Sequence, residues 1–248
     1  MNEMPQGAPV GAPLSETQRV VDAFVAPTIT FTDLRRKATF WGPLIIMIIV
    51  GIGYSFSIQQ KIGWEKVAEN NIHQSPKTEE RMATAPDGGA AGKAIAAKIT
   101  AVVSYGYFVI VLIITALIAL LNWATVNFGF GGKSTYGQIY AVSFYASLVM
   151  NIKFLLGIVA IFAGLAPDSF LINNPVGSNI GYYLSTDAPK WLIAFCTHLD
   201  LFEIWSLILS VIGVSIVARV SRGKAAVVVV GWWLVFVLIA VGAAAVQS

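Results

Sequence analysis

Charge is scarce in this chain. Only 12% of its 248 residues are Asp, Glu, Lys or Arg, and it has one cysteine and two histidines. Each shortage removes a class of protein. Cys196 alone closes no internal disulfide and anchors no cysteine-based metal site. A net charge of +3 is too small and too clustered to hold nucleic acid. G-x-S-x-G, P-loop, H-E-x-x-H and dinucleotide fingerprints are all missing. His73 and His198 stand in different segments, so a non-enzyme with no catalytic residue, no metal and no cofactor is expected.

What the chain does have is apolar length. Hydrophobic residues make up 56% and the mean hydropathy is +0.73, far above soluble usage. Five runs approach the ~20 residues a spanning helix needs, at about 41–58, 100–126, 138–164, 192–218 and 225–246. Backbone groups in a bilayer must pair within their own segment, and no barrel-like alternation occurs, so helices are required. The expected fold class is an all-α integral membrane protein, a five-transmembrane-helix bundle with cytoplasmic N-terminal amphipathic helices.

The domain reading follows. Residues 1–14 form a Gly- and Pro-rich disordered tail, 15–40 juxtamembrane helices and 41–246 the five-span membrane domain. No apolar signal-peptide core precedes residue 27, so the first span is expected to direct insertion. Ser15 with Gln18 three positions on marks a helix start, with Val20, Val21, Phe24 and Val25 as its apolar stripe and Pro27 as its stop. A second helix, FTDLRRKATFW, is expected to run into the membrane with Trp41 at headgroup depth. Lys and Arg beside the spans favour a multi-pass cell-membrane protein with the N-terminus cytoplasmic and the C-terminus outside. Arg35, Arg36 and Lys37 form the membrane-surface basic group, suited to anionic lipid. The first connection holds a short helix over SPKTEERMA, and AAGKAIAAKI runs on into the second span. The third connection, rich in Asn, Gly and Pro but carrying Phe170, Leu171, Ile172, Tyr182 and Tyr183, reads as a folded outer cap.

Several stretches in order resemble a known family. RVVDAFVAPTITFTDLRR, WGPLII, FYASLVMNIKFLLGI, INNPVGSN and LDLFEIWSLILSVIGVSIVARVSRGKA together are similar to the bacterial branch of the Yip1 domain family, over about residues 18–246. Thr39-Phe40-Trp41-Gly42-Pro43 keeps the Gly-Pro of that family's Asp-Leu-x-Gly-Pro first-span pattern. The resemblance implies a small five-span membrane protein. In the eukaryotic branch such proteins belong to the secretory pathway and bind Rab-type GTPases and each other.

Polar residues inside the spans are the remaining candidates. Asn122, Asn127 and Asn151 are expected to be interhelical hydrogen-bond partners facing protein. Trp205, Trp232 and Trp233 read as near-interface aromatics. In THLDLFEIWSL, His198, Asp200 and Glu203 crowd one segment. Lys153 is the one basic residue within a span, and an ammonium there costs ~2.5 to 3.5 kcal/mol without a partner. Counting ~1.5 Å per residue matches its depth to Glu203. An intramembrane polar cluster of Lys153, Asp200 and Glu203 is therefore expected, Glu203 being the first partner and Asp200 the second, with His198 on another face. The function these features support is a membrane scaffold or adaptor, a trafficking-like factor acting through helix packing. The alternative is a proton- or ion-coupled small-solute transporter using the three charged residues. Partners are expected to be the bilayer, anionic lipids and other spans in a homo- or hetero-oligomer, with no nucleic acid.

Overall fold

A computed structural model describes residues 12–172, 174–185 and 187–246, and within them all regular structure is helical apart from one isolated β-bridge. Most of the expected tail therefore lies outside the described residues. Five segments are long and apolar enough to cross a membrane: Trp41–Lys61, Tyr107–Gly129, Tyr136–Phe162, Leu201–Ala218 and Arg222–Val246.

Two short helices precede them. α1 (Glu16–Val25) starts at Ser15 in a capping box, its hydroxyl accepting from the Gln18 N–H while the Gln18 side chain accepts from the Ser15 N–H. α2 (Pro27–Leu34) begins where a stop was expected, because proline at the first helical position sacrifices no hydrogen bond. It ends at Leu34, and residues 35–40 link it to α3 (Trp41–Lys61), so FTDLRRKATFW is not one helix. The stripe also rotates: Ala23 and Arg19 are buried, whereas Val21 and Val25 are exposed.

The first connection forms α4 (Trp64–His73), α5 (Pro76–Ala83) and α6 (Ala90–Tyr105). α6 does not run unbroken into α7 (Tyr107–Ala124). Gly106, a poor helix former, caps one and starts the other. A π-turn at Thr125–Gly129 then closes the second span.

The third span is two helices, α8 (Tyr136–Ser147) and α9 (Met150–Phe162). Between them, Asn151 N–H bonds Leu148 O at 3.0 Å and Ile152 N–H bonds Val149 O at 3.1 Å, a tightened turn inside the span. The apolar run expected over 192–218 is likewise interrupted, into α10 (Lys190–Thr197) and α11 (Leu201–Ala218), so that α11 alone is the fourth span and α12 (Arg222–Val246) the fifth.

The main core gathers Phe31 and Leu34 of α2, Val142 and Tyr145 of α8, and Leu209, Val214 and Val217 of α11. Gly213 makes room for it. A Cβ there would run into Val142 and lie 3.1 Å from the Phe31 ring, so the missing side chain lets α2 press between α8 and α11.

The two ends of the bundle are distinct. At one end α1, α2 and the second and fourth connections meet: Gln138 Nε2 donates to Arg35 O at 3.0 Å, and Lys133 N–H to Ala218 O at 3.0 Å. At the other, the first and third connections interlock through Asn70, which donates to Pro167 O at 2.7 Å and Phe170 O at 2.9 Å.

Candidate functional site

Asp200 organises the polar centre of the bundle. The chain reaches it in extended backbone between α10 and α11, and its Oδ1 accepts from the N–H groups of Phe202 (2.8 Å) and Glu203 (3.3 Å). It is thus the N-cap of α11, a position where a carboxylate satisfies unpaired donors. Its second oxygen, Oδ2, turns the other way. It accepts from Lys153 Nζ at 2.8 Å, Ser178 Oγ at 2.5 Å and Asn179 Nδ2 at 3.4 Å. The Lys153 and Asp200 side chains are 9% and 1% exposed, so this ion pair is buried.

The third connection supplies the rest of the shell by folding back into the bundle. Pro175 sits against Gly157 of α9, where a Cβ would come within 3.3 Å of it. Gly157 lies five residues before the end of α9 at Phe162, so the loop descends by ~7 Å alongside the helix. There Asn179 Nδ2 donates to Asn174 Oδ1 at 2.6 Å, and Leu201 N–H to Ser178 O at 3.0 Å. Residues 174–179 and the start of α11 are thereby joined.

Glu203 does not pair with Lys153. It accepts from Trp233 Nε1 of α12 at 2.5 Å and faces His198 Nδ1 at 3.2 Å. The expected partner is displaced because 192–218 is not one helix. In a continuous helix a rise of ~1.5 Å per residue places Glu203 at the depth of Lys153, and a turn of ~100° per residue places His198 on another face. The break at residues 198–200 instead brings Asp200 to Lys153 and His198 to Glu203. The cluster of Lys153, Asp200 and Glu203 is therefore two neighbouring pairs, linked where the Asp200 carboxylate caps the Glu203 N–H.

The asparagines divide. Asn122 and Asn151 are buried, as expected of residues facing protein, but each bonds its own segment. Asn122 Nδ2 donates to Ile118 O at 2.9 Å and Asn151 Nδ2 to Leu148 O at 3.1 Å, so neither is an interhelical bridge. Asn151 takes the carbonyl at the tightened turn. Asn127 does tie two segments together: its amide donates to Ser134 O at 2.7 Å and accepts from the Ser134 N–H and hydroxyl, each at 3.1 Å. Trp232 Nε1 donates to Thr125 Oγ1 at 3.0 Å. Arg35, Arg36 and Lys37 are exposed, with Arg36 bonded to Asp33 at 2.6 Å.

A second buried network escaped sequence reasoning altogether. Arg19 of α1 is 1% exposed. It bonds Asp33 of α2 at 2.6 Å, Thr39 at 2.5 Å and Glu16 at 3.1 Å. Glu16 in turn accepts from Tyr145 of α8 at 2.8 Å and from the Gly42 N–H at 3.2 Å. Burial opposes the charge on Asp33, yet the bonds from Arg19 and Arg36 outweigh it and hold the carboxyl below its ordinary range. Burial likewise works against Glu16, but Thr39, Tyr145 and Gly42 prevail and lower it too. Opposite charges flanking a proline at 27 were the one available signal.

Fold and site together define a polytopic helical membrane protein whose buried charges are bonded within the chain. No group of three or more His, Cys, Asp or Glu side chains suited to a metal ion occurs among the described residues. The Yip1 domain family matches residues 21–244, and the chain belongs to it. It is 24% identical over 235 residues to the membrane protein YknW of Bacillus subtilis (strain 168), covering 90% of this chain and 90% of that one. No solved structure matches the chain.

Proposed function

We propose that this Yip1 domain protein is a membrane scaffold or adaptor that works by packing against partner spans and turns over no solute. One observation carries the reading: Lys153 is satisfied by Asp200, and Glu203 by Trp233 and His198, with Ser178 and Asn179 of the third connection bonded to the first pair. A transport pathway needs an intramembrane ionisable group that exchanges its partner for substrate or water. Here one carboxylate oxygen caps α11 while the other is filled by Lys153, Ser178 and Asn179, which leaves the group little freedom to reorient.

The faces left for partners are broad. On α12, Leu238 and Ile239 are 66% and 62% exposed, and on α7 Ile113 and Leu117 are 58% and 56% exposed. Hydrocarbon or another span covers them in a membrane. The orientation we propose is N-terminus cytoplasmic and C-terminus outside. It is supported by Arg35, Arg36, Lys37, Lys133, Arg219, Arg222 and Lys224, which stand beside the spans at one end of the bundle. Val21, Val25 and Ile29 then face the bilayer beside α3, and the basic triplet meets anionic lipid. A proton- or ion-coupled transporter is the second reading, favoured by one feature: His198, a third exposed, touches Glu203 at the start of the fourth span.

Photo-crosslinking in cells tests the first reading. A photoreactive residue at Leu238 should give a discrete protein adduct, and one at the neighbouring Val237, which is 1% exposed, should give none. Lipid adducts alone at Leu238 and at Ile113 would contradict an adaptor.

A further inference from the structure

A cleft of about 860 Å³ lies between α4 and α6, away from the Asp200 centre. Its place along the fold is defined by its rim. Ile62 and Gly63 directly follow the first span, and Ala101 lies one and a half turns before the second. Just below, Tyr105 Oη donates to Gln59 Oε1 at 2.6 Å, joining the polar end of the first span to the approach of the second. The cleft is therefore at headgroup depth, with Trp64 and Tyr105 stacked edge to face beside it as interfacial aromatics are.

The sequence of α6 builds the cleft. Ala94, Ala97 and Ala101 fall on one helical face with Lys98, so three short side chains leave room and one cation overlooks it. Ile95, Ile99 and Val102 occupy the adjacent face and are 58%, 58% and 73% exposed. An apolar strip thus runs from the cleft toward the hydrocarbon. The opposite wall is the first turn of α4, whose N-cap Gly63 provides no side-chain cap for the first-turn N–H groups.

The charges are of both signs. Lys66 is bonded to Glu69 at 3.0 Å and to Asp168, and Lys93 reaches Glu69 at 3.9 Å, so these four neutralise one another within the fold. Lys98 and Glu65 line the same cleft and form no ion pair with any described residue. The indole N–H of Trp64 is buried and has no acceptor among the described residues. The cleft therefore offers one uncommitted cation, one uncommitted anion and surplus N–H donors beside an apolar strip.

We propose that this cleft holds the headgroup of a phospholipid from the membrane the spans cross, one bearing both a phosphate and a primary ammonium. The phosphate lies between Lys98 and the open first turn of α4, the ammonium faces Glu65, and an acyl chain follows Ile95, Ile99 and Val102. A purely anionic headgroup leaves Glu65 opposed, and a headgroup without phosphate leaves Lys98 unanswered.

The test uses the delipidated full chain in native mass spectrometry with three probes: phosphatidylethanolamine, phosphatidylglycerol and diacylglycerol. Phosphatidylethanolamine should bind about tenfold tighter than either of the others. Lys98→Glu should abolish that preference, and Glu65→Lys should shift it to phosphatidylglycerol. Both side chains are exposed, so thermal unfolding should be unchanged, and this measurement confirms the variants are folded. Ala94→Leu should fill the cleft and weaken all binding. Equal binding of the three lipids, or indifference to Lys98→Glu in a folded variant, overturns the proposal. So does displacement of the lipid by millimolar inorganic phosphate, which would make the site one for a soluble anion.

Discussion

Lys153 and Asp200, 47 positions apart, stand 2.8 Å from each other where the third span meets the cap of the fourth. The geometry makes each the other's condition for burial. Removing one member of such a pair strands the other and costs ~3 to 5 kcal/mol, whereas removing both relieves the charge. Lys153→Met and Asp200→Asn should each lower the melting temperature in detergent, with the double variant falling less than the sum. Asp200→Asn should be the milder single change, because an amide oxygen still caps α11. Glu203→Gln should show no coupling to Lys153→Met. Strong coupling there would restore the pairing that a continuous helix implies.

The α2 wedge depends on Gly213. Gly213→Ala places a methyl against Val142 and the Phe31 ring and should destabilise by ~1 to 3 kcal/mol as overpacking does. Protease sensitivity should rise in residues 15–40 before the spans unfold. Paired Gly213→Ala and Phe31→Leu should recover part of the loss. An unchanged cleavage pattern in Gly213→Ala would mean α2 is not held there.

Acid should loosen the same segment. The Asp33 and Glu16 carboxyls have lowered pKa values in the folded chain, so their stabilisation is complete above the unfolded values near ~4 and is lost as pH falls through the folded ones. Protection against hydrogen exchange in α1 and α2, measured relative to the intrinsic rate at each pH, should be high at about pH 5 and above and should fall below about pH 4, ahead of the spans. Asp33→Asn should be less protected at about pH 5 and above and less pH-dependent. Protection that holds through this window would show that the network does not dock the helices.

Orientation is open to a direct check. In a Cys196→Ser background, cysteines replacing Lys37 and Glu80, both exposed and at opposite ends of the bundle, should react with an impermeant thiol reagent from opposite sides of the membrane. Lys37→Cys should be protected in intact cells. Labelling of both from one side would contradict the five-span arrangement, and labelling of Lys37→Cys alone would invert it.

Much of this architecture was legible in the chain, because span length and apolarity are one-dimensional properties. The five apolar runs, the Ser15 to Gln18 capping box and the Pro76 helix start all follow from local rules that the structure obeys. The site was legible only in composition. Lys153 required a buried carboxylate, but which one depended on whether residues 198–200 stay helical, and a capping aspartate inside an apolar run looks the same as a helical one. Asn151 failed as a bridge for a related reason: a tightened turn at residues 148–149 offered it a nearer carbonyl than any other span. Arg19 escaped because its burial is created by α2 and α8, elements distant in sequence, and nothing in its own helix periodicity announces it.

The central claim is that the buried charges of this Yip1 domain protein are structural, and proton flux tests it most directly. Purified protein reconstituted into vesicles loaded with a pH-sensitive dye should, under an imposed pH gradient and potential, leak protons no faster than protein-free vesicles, and Asp200→Asn should change nothing. Proton uptake above that baseline, abolished by Asp200→Asn or by Glu203→Gln in variants that remain folded, would contradict the account and assign these residues to a transport pathway.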